Sequence, residues 1–159
     1  MGGSSSVANV SETSALNSNP RSAGGSSDLV WAYTILRLIF GVNIMLHGLS
    51  RLIGGRPAFL AYLTHYFEKA TFVPPGLLSL MATVLPWVET TLGLLLLIGL
   101  GTRFALIAGG LVLTVLAIGS NLAQDWGVAG LQLIYAFIYY YLLAHLDQNR
   151  YSVDTLLGR

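Results

Sequence analysis

Four apolar stretches, each about 20 or more residues long, constrain this chain most, because a helix of that length crosses roughly 30 Å of hydrocarbon. They cover residues 29–53, 75–100, 102–122 and 126–146. Backbone N–H and C=O groups find no water in lipid, so each stretch must satisfy its own hydrogen bonds as a helix. The links after residues 100 and 122 are very short, which makes consecutive helices antiparallel neighbours. The expected fold is all-α, an integral membrane four-helix bundle. Composition agrees: 54% of the 159 residues are hydrophobic and 9% charged, against about 25% charged in soluble domains.

Other classes fall away on the same counts. A net charge of +1 supplies no basic field for nucleic acid. The absence of cysteine removes disulfides, thiolate metal sites and iron–sulfur ligation. Residues 1–28 are rich in Ser, Gly and Asn and read as a disordered tail, leaving 29–159 as the membrane domain. The tail lacks the basic start and apolar run of a signal peptide. Its opening MGGSSS places Gly2 and Ser6 in a weak myristoylation pattern, and such short motifs match often by chance.

Between the first two spans, Phe59, Leu60, Leu63 and Phe67 recur at helical spacing beside Tyr62 and Tyr66. This segment reads as an amphipathic helix lying along the membrane surface. His65 on it reads as solvated. Basic residues give the orientation. Arg21, Arg103, Arg150 and Arg159 share the side of the termini, against Arg51, Arg56 and Lys69 opposite, which leans toward cytoplasmic termini.

Ionisable residues inside a span are functional candidates because each costs several kcal/mol to place there, roughly 2.5–3.5 on insertion scales. Glu89 stands in the second span, in PWVETTLGLLLLIG. Counting about 1.5 Å per residue from the ends of the apolar stretches sets Arg37 about 12 Å and Glu89 about 16 Å from the terminal side. That arithmetic pairs Glu89 with Arg37. Pro86, Glu89 and Gly93 share one face at i, i+3 and i+7, so a proline kink, a charge and a close-approach glycine converge. Gly109 and Gly110 in the third span are read as helix-packing positions.

On the first span Arg37, His47 and Arg51 lie within about 80° of one another, with Asn43 widening the arc. Gln132, Tyr135 and Tyr139 line one face of the fourth span, and buried tyrosine hydroxyls need partners. A polar vestibule at the end away from the termini follows from these residues, with Asn121, Asp125 and Trp126 reaching toward it. His47 and His145 are expected near opposite surfaces, which disfavours bis-histidine haem. No metal-ligand cluster or nucleophile–base pair stands out.

The stretches LRLIFGVNIMLHGLSRL, PWVETTLGLLLLIGLGTRFA and NRYSVDTLL together resemble the DoxX family of small bacterial membrane proteins. The family's arginine, glycine and HG of the first helix correspond to Arg37, Gly41, His47 and Gly48, with Arg51 in place of a common lysine. Its second-helix glutamate, the following glycine and G-x-x-T-R correspond to Glu89, Gly93, Gly99, Thr102 and Arg103. Its closing R-[WY]-S-[LV]-D corresponds to Arg150 through Asp154. The resemblance implies a four-helix protein of the bacterial cytoplasmic membrane, often linked to redox systems. The related DoxD protein is a subunit of a thiosulfate:quinone oxidoreductase.

Three functions are consistent with these features. The favoured one is a membrane subunit of, or accessory to, a quinone-linked oxidoreductase, not catalytic by itself, with quinone as the possible cofactor and other redox subunits as partners. Its candidate headgroup residues are Arg37, Asn43, His47, Arg51, Glu89, Gln132, Tyr135 and Tyr139. The second is a noncatalytic assembly subunit of a larger membrane complex. The third, a carrier of small solutes or lipids, ranks last because four spans show no inverted repeat.

Overall fold

The computed structural model describes residues 21–70 and 73–158. Among them it is helical, with no strand. Helix α1 is Arg21–Gly54, α2 Arg56–Tyr66, α3 Pro75–Ile98, α4 Thr102–Leu122 and α5 Trp126–Ala144. A 3-10 turn at Leu146–Gln148 and the short α6, Val153–Leu156, close the chain. Helices α1, α3, α4 and α5 are each long and apolar enough to cross a membrane. Their outward faces carry Ile39, Trp87, Leu111, Leu133 and Phe137, each more than 60% exposed. Such a surface would be costly in water and suits lipid. The chain is a multi-pass membrane protein.

Helix α1 starts ahead of the first apolar stretch. Residues 21–28 continue the helix of the packed stretch that follows them, which spares that extension the cost of a separate nucleus. The remaining tail, residues 1–20, and with it the myristoylation pattern, lies outside the described residues. Residue Arg159 does too.

Helices α1 and α3 form the main interface of the bundle, and glycines bring their backbones into contact. A Cβ added at Gly93 would stand 2.2 Å from the Met45 nitrogen, and one at Gly48 would stand 2.4 Å from the Thr90 nitrogen. One at Gly41 would meet the Leu97 nitrogen at 2.8 Å. No side chain larger than hydrogen fits at these levels. Gly110 has open space around it, so the expected packing role belongs to Gly109 alone. A Cβ there would meet the Tyr139 hydroxyl at 2.3 Å.

At the end of the bundle away from the termini, α2 lies over α3 and α4. Phe59, Leu63 and Phe67 are buried together with Leu78, Ala82 and Leu85, with Leu116 and Ala123 packed against them. The Tyr66 hydroxyl donates to Asp125 Oδ2 at 3.2 Å, tying α2 to the α4–α5 turn. Burial and then the neighbouring Asp125 carboxylate push the Tyr66 phenol up to about 12.

At the terminal end the segment after α5 folds back on the α3–α4 turn. Gly99, in the left-handed region at φ 70°, ends α3. The Asp154 carboxylate accepts from the Gly101 and Thr102 backbone nitrogens at 2.7 and 2.8 Å. Those are free N–H groups at the start of α4, where a carboxylate is doubly favoured by hydrogen bonding and by the helix dipole.

Candidate functional site

The glycine-set register decides which polar groups meet. With Gly48 against Pro86 and Thr90, and Gly93 against Met45, the level of Glu89 falls at the last turns of α1. The ion pair that forms there is Arg51 Nη1 with Glu89 Oε2. The guanidinium of Arg51 also rests over the Phe59 ring, 4.7 Å from its centroid. Two charges in lipid are thus neutralised by one another, and an aromatic face from α2 covers the cation.

Arg37 does not pair with Glu89. It is 2% exposed and, contrary to the equal-depth arithmetic, bonds about two turns nearer the terminal side than Glu89. That arithmetic took the ends of the apolar stretches as level, whereas α1 runs past α3 and packs Trp31 on Tyr151 of the C-terminal segment at 4.8 Å. Arg37 Nη1 donates to the carbonyls of Leu96 and Leu97, and Nη2 to that of Tyr151 at 2.7 Å. Leu96 and Leu97 end α3, where carbonyls lack intrahelical donors and the dipole is negative. The buried guanidinium is therefore a cap on α3 and a clamp on the C-terminal segment. It takes no part in the site described next.

A cavity of about 260 Å³ lies between α1, α3, α4 and α5. Of the eight candidate polar residues, it gathers seven: Asn43, His47, Arg51, Glu89, Gln132, Tyr135 and Tyr139. The rest of its wall is apolar, with Ile44, Leu92, Val112, Leu113 and Leu131 among the contributors. Its floor is aromatic. Phe40 meets Tyr139 edge-to-face at 4.7 Å and approaches Tyr135 at 6.1 Å, and the Tyr139 phenol fits only because residue 109 is glycine.

The cavity is rich in donors. Gln132 Oε1 accepts from Ser120 Oγ at 2.6 Å, and its NH₂ remains a donor for an occupant. Tyr135 and Tyr139 add hydroxyls to the wall. Arg51 keeps N–H groups beyond the one given to Glu89. Because Arg51 offsets Glu89, a neutral, acceptor-bearing group of one or two rings matches the space and chemistry. For scale, an apolar cavity of about 150 Å³ holds benzene.

Three residues expected at the vestibule are used elsewhere. Asn121 donates to the Ala117 carbonyl, Asp125 caps α5 through Val128 N, and Trp126 is 68% exposed. His65 faces Glu68 in an exposed pair at 3.3 Å. His145 stacks on Tyr141 at 4.3 Å, at the end of the bundle opposite His47. Pro86 lies inside an unbroken α3, its carbonyl accepting from Thr90 Oγ1 at 2.7 Å. The apolar wall residues, and Phe59 over Arg51, had no signal in the sequence, since a leucine facing a cavity reads the same as one facing lipid.

No curated protein and no solved structure matches the chain. The DoxX family model matches residues 32–123, more than half of the chain and the part that contains α2, α3, α4, nearly all of the apolar stretch of α1 and the Arg51–Glu89 pair. The chain belongs to the DoxX family.

Proposed function

We propose that this protein is a membrane subunit of, or accessory to, a quinone-linked oxidoreductase, and that its part is to bind and orient the quinone headgroup. The observation that carries the reading is the donor-rich, charge-compensated cavity built by Gln132, Tyr135, Tyr139 and the Arg51–Glu89 pair. A quinone carbonyl is an acceptor without charge, and its ring suits the apolar walls and the Phe40–Tyr139 floor. On this reading electrons come from a partner redox subunit. The chain sits in the bacterial cytoplasmic membrane with both termini in the cytoplasm. The basic residues support that orientation, with Arg21, Arg103, Arg150 and Arg159 on the terminal side against Arg51, Arg56 and Lys69 opposite.

The test is titration of the purified protein, in lipid nanodiscs, with an alkyl-tailed benzoquinone. Saturable binding is expected, with Tyr139→Phe and Gln132→Leu each weakening it about 2- to 12-fold, the worth of one hydrogen bond. Absence of saturable binding, or variants that bind as wild type, overturns the assignment. Purification from native membranes with no redox protein retained overturns the accessory role.

A further inference from the structure

Among the described residues, named contacts bound the cavity on several sides. The floor is sealed by Phe40 against Tyr139 and Tyr135. At the far end α2 reaches the rim of the cavity, with Phe59 on Arg51 and Tyr66 bonded to Asp125. Helices α3 and α4 form the back wall through Leu92, Val112 and Leu113. The side least closed by helix contact is the seam between α1 and α5, which touch over only a short stretch.

The residues on that seam are themselves open. Asn43 and His47 on α1 and Val128 and Leu131 on α5 line the cavity and are exposed. Asn43 lies more than two turns inside α1 from its far end, at Gly54. An exposed amide at that depth needs a polar neighbour, and the cavity beside it holds them. The volume adds a second argument. About 260 Å³ accepts a ring but not a long chain, since binding sites that enclose drug-sized molecules run from about 300 to 1,000 Å³.

We infer that the cavity opens sideways into the bilayer through the α1–α5 seam, and that its ligand is an amphiphile whose headgroup alone enters while an apolar tail stays in lipid. The inference rests on the proposed quinone site for the identity of the headgroup, but the direction of opening stands on geometry alone. It means that the ligand is taken from the membrane and not from water, so tail length affects occupancy through the lipid concentration of the ligand.

The chain has no cysteine, so one introduced thiol reports one position. Asn43→Cys and, separately, His47→Cys are spin-labelled and reconstituted into phosphatidylcholine–phosphatidylglycerol vesicles. Collision with oxygen, which partitions into lipid, is compared with collision with an aqueous nickel chelate. Ile39→Cys on the lipid face and Arg103→Cys at the α4 end supply the two reference values. The lateral opening requires oxygen collisions near those of the Ile39 position, with chelate collisions lost. Chelate collisions like those at position 103 would show an aqueous mouth, and loss of both would show a closed cavity. Either result overturns the inference at whichever position folds. Added alkyl-tailed benzoquinone should then reduce the oxygen collisions at position 43. If it does not, while the labels still report lipid, the quinone assignment fails and the lateral opening stands.

Discussion

Removal of the Arg51–Glu89 pair offers the sharpest check on the register that builds the site. Glu89→Leu leaves a guanidinium without its counterion, and Arg51→Met leaves a carboxylate in the same position. Breaking a fully buried pair costs about 3–5 kcal/mol. Here the Arg51 side chain is 26% exposed and that of Glu89 9%, and Phe59 continues to cover the cation. Each single substitution should therefore cost less, about 2–3 kcal/mol. The double variant replaces two charges by apolar groups in an apolar wall and should cost no more than about 1 kcal/mol, giving a coupling of at least about 3 kcal/mol. The control is a second cycle with Arg37→Met. Arg37 bonds to Leu96 and Leu97, about 12 Å along α3 from Glu89, so those two substitutions should be additive within about 0.5 kcal/mol. Reversible unfolding by steric trapping in bicelles measures both cycles. A coupling below about 0.5 kcal/mol for Arg51 with Glu89, or a clear coupling of Arg37 with Glu89, would refute the register.

Three other outcomes follow from separate contacts. Gly93→Ala puts a Cβ 2.2 Å from the Met45 nitrogen and should destabilise the α1–α3 interface by about 2–3 kcal/mol, whereas Gly110→Ala, with nothing within 4 Å, should be neutral or gain up to about 1 kcal/mol; thermal unfolding in detergent compares the two. Asp154→Ala removes both acceptors at the start of α4 and should cost about 1–2 kcal/mol, with the C-terminal segment becoming protease-sensitive first in limited digestion. Gly109→Ala meets the Tyr139 hydroxyl at 2.3 Å, so the phenol should move into the cavity and weaken quinone binding while the melting temperature changes little.

The α4–α5 side of the site shows how far periodicity reaches. Gln132, Tyr135 and Tyr139 share a helical face in sequence and share the cavity wall in space, because a helix fixes the angle between its own residues. The same rule joined Asn43, His47 and Arg51 on α1. It could not say that Arg37, on nearly the same face, lies below the floor. Depth along the face depends on how far one helix slides past another, and that was read from the ends of apolar runs. The actual slide is set by Gly41, Gly48 and Gly93, whose contacts involve two helices at once. Gly110 carries the opposite lesson. Its neighbour Gly109 has a tight contact and it has none, a difference of one residue's rotation that composition does not encode.

By itself, the sequence determined what lipid demands: four spans, helical because no other backbone satisfies itself there, antiparallel because the turns are short, with a few polar side chains too costly to be incidental. Tertiary structure alone decided which of those side chains meet. Arg51 rather than Arg37 neutralises Glu89, since glycine contacts lock α1 against α3 at that register. Arg37 instead caps α3, since the carbonyls at a helix end attract a cation as a carboxylate would. The cavity itself belongs to no one helix. It exists because α1 and α5 part above the Phe40–Tyr139 contact, and a gap between helices leaves no mark on the sequence of either.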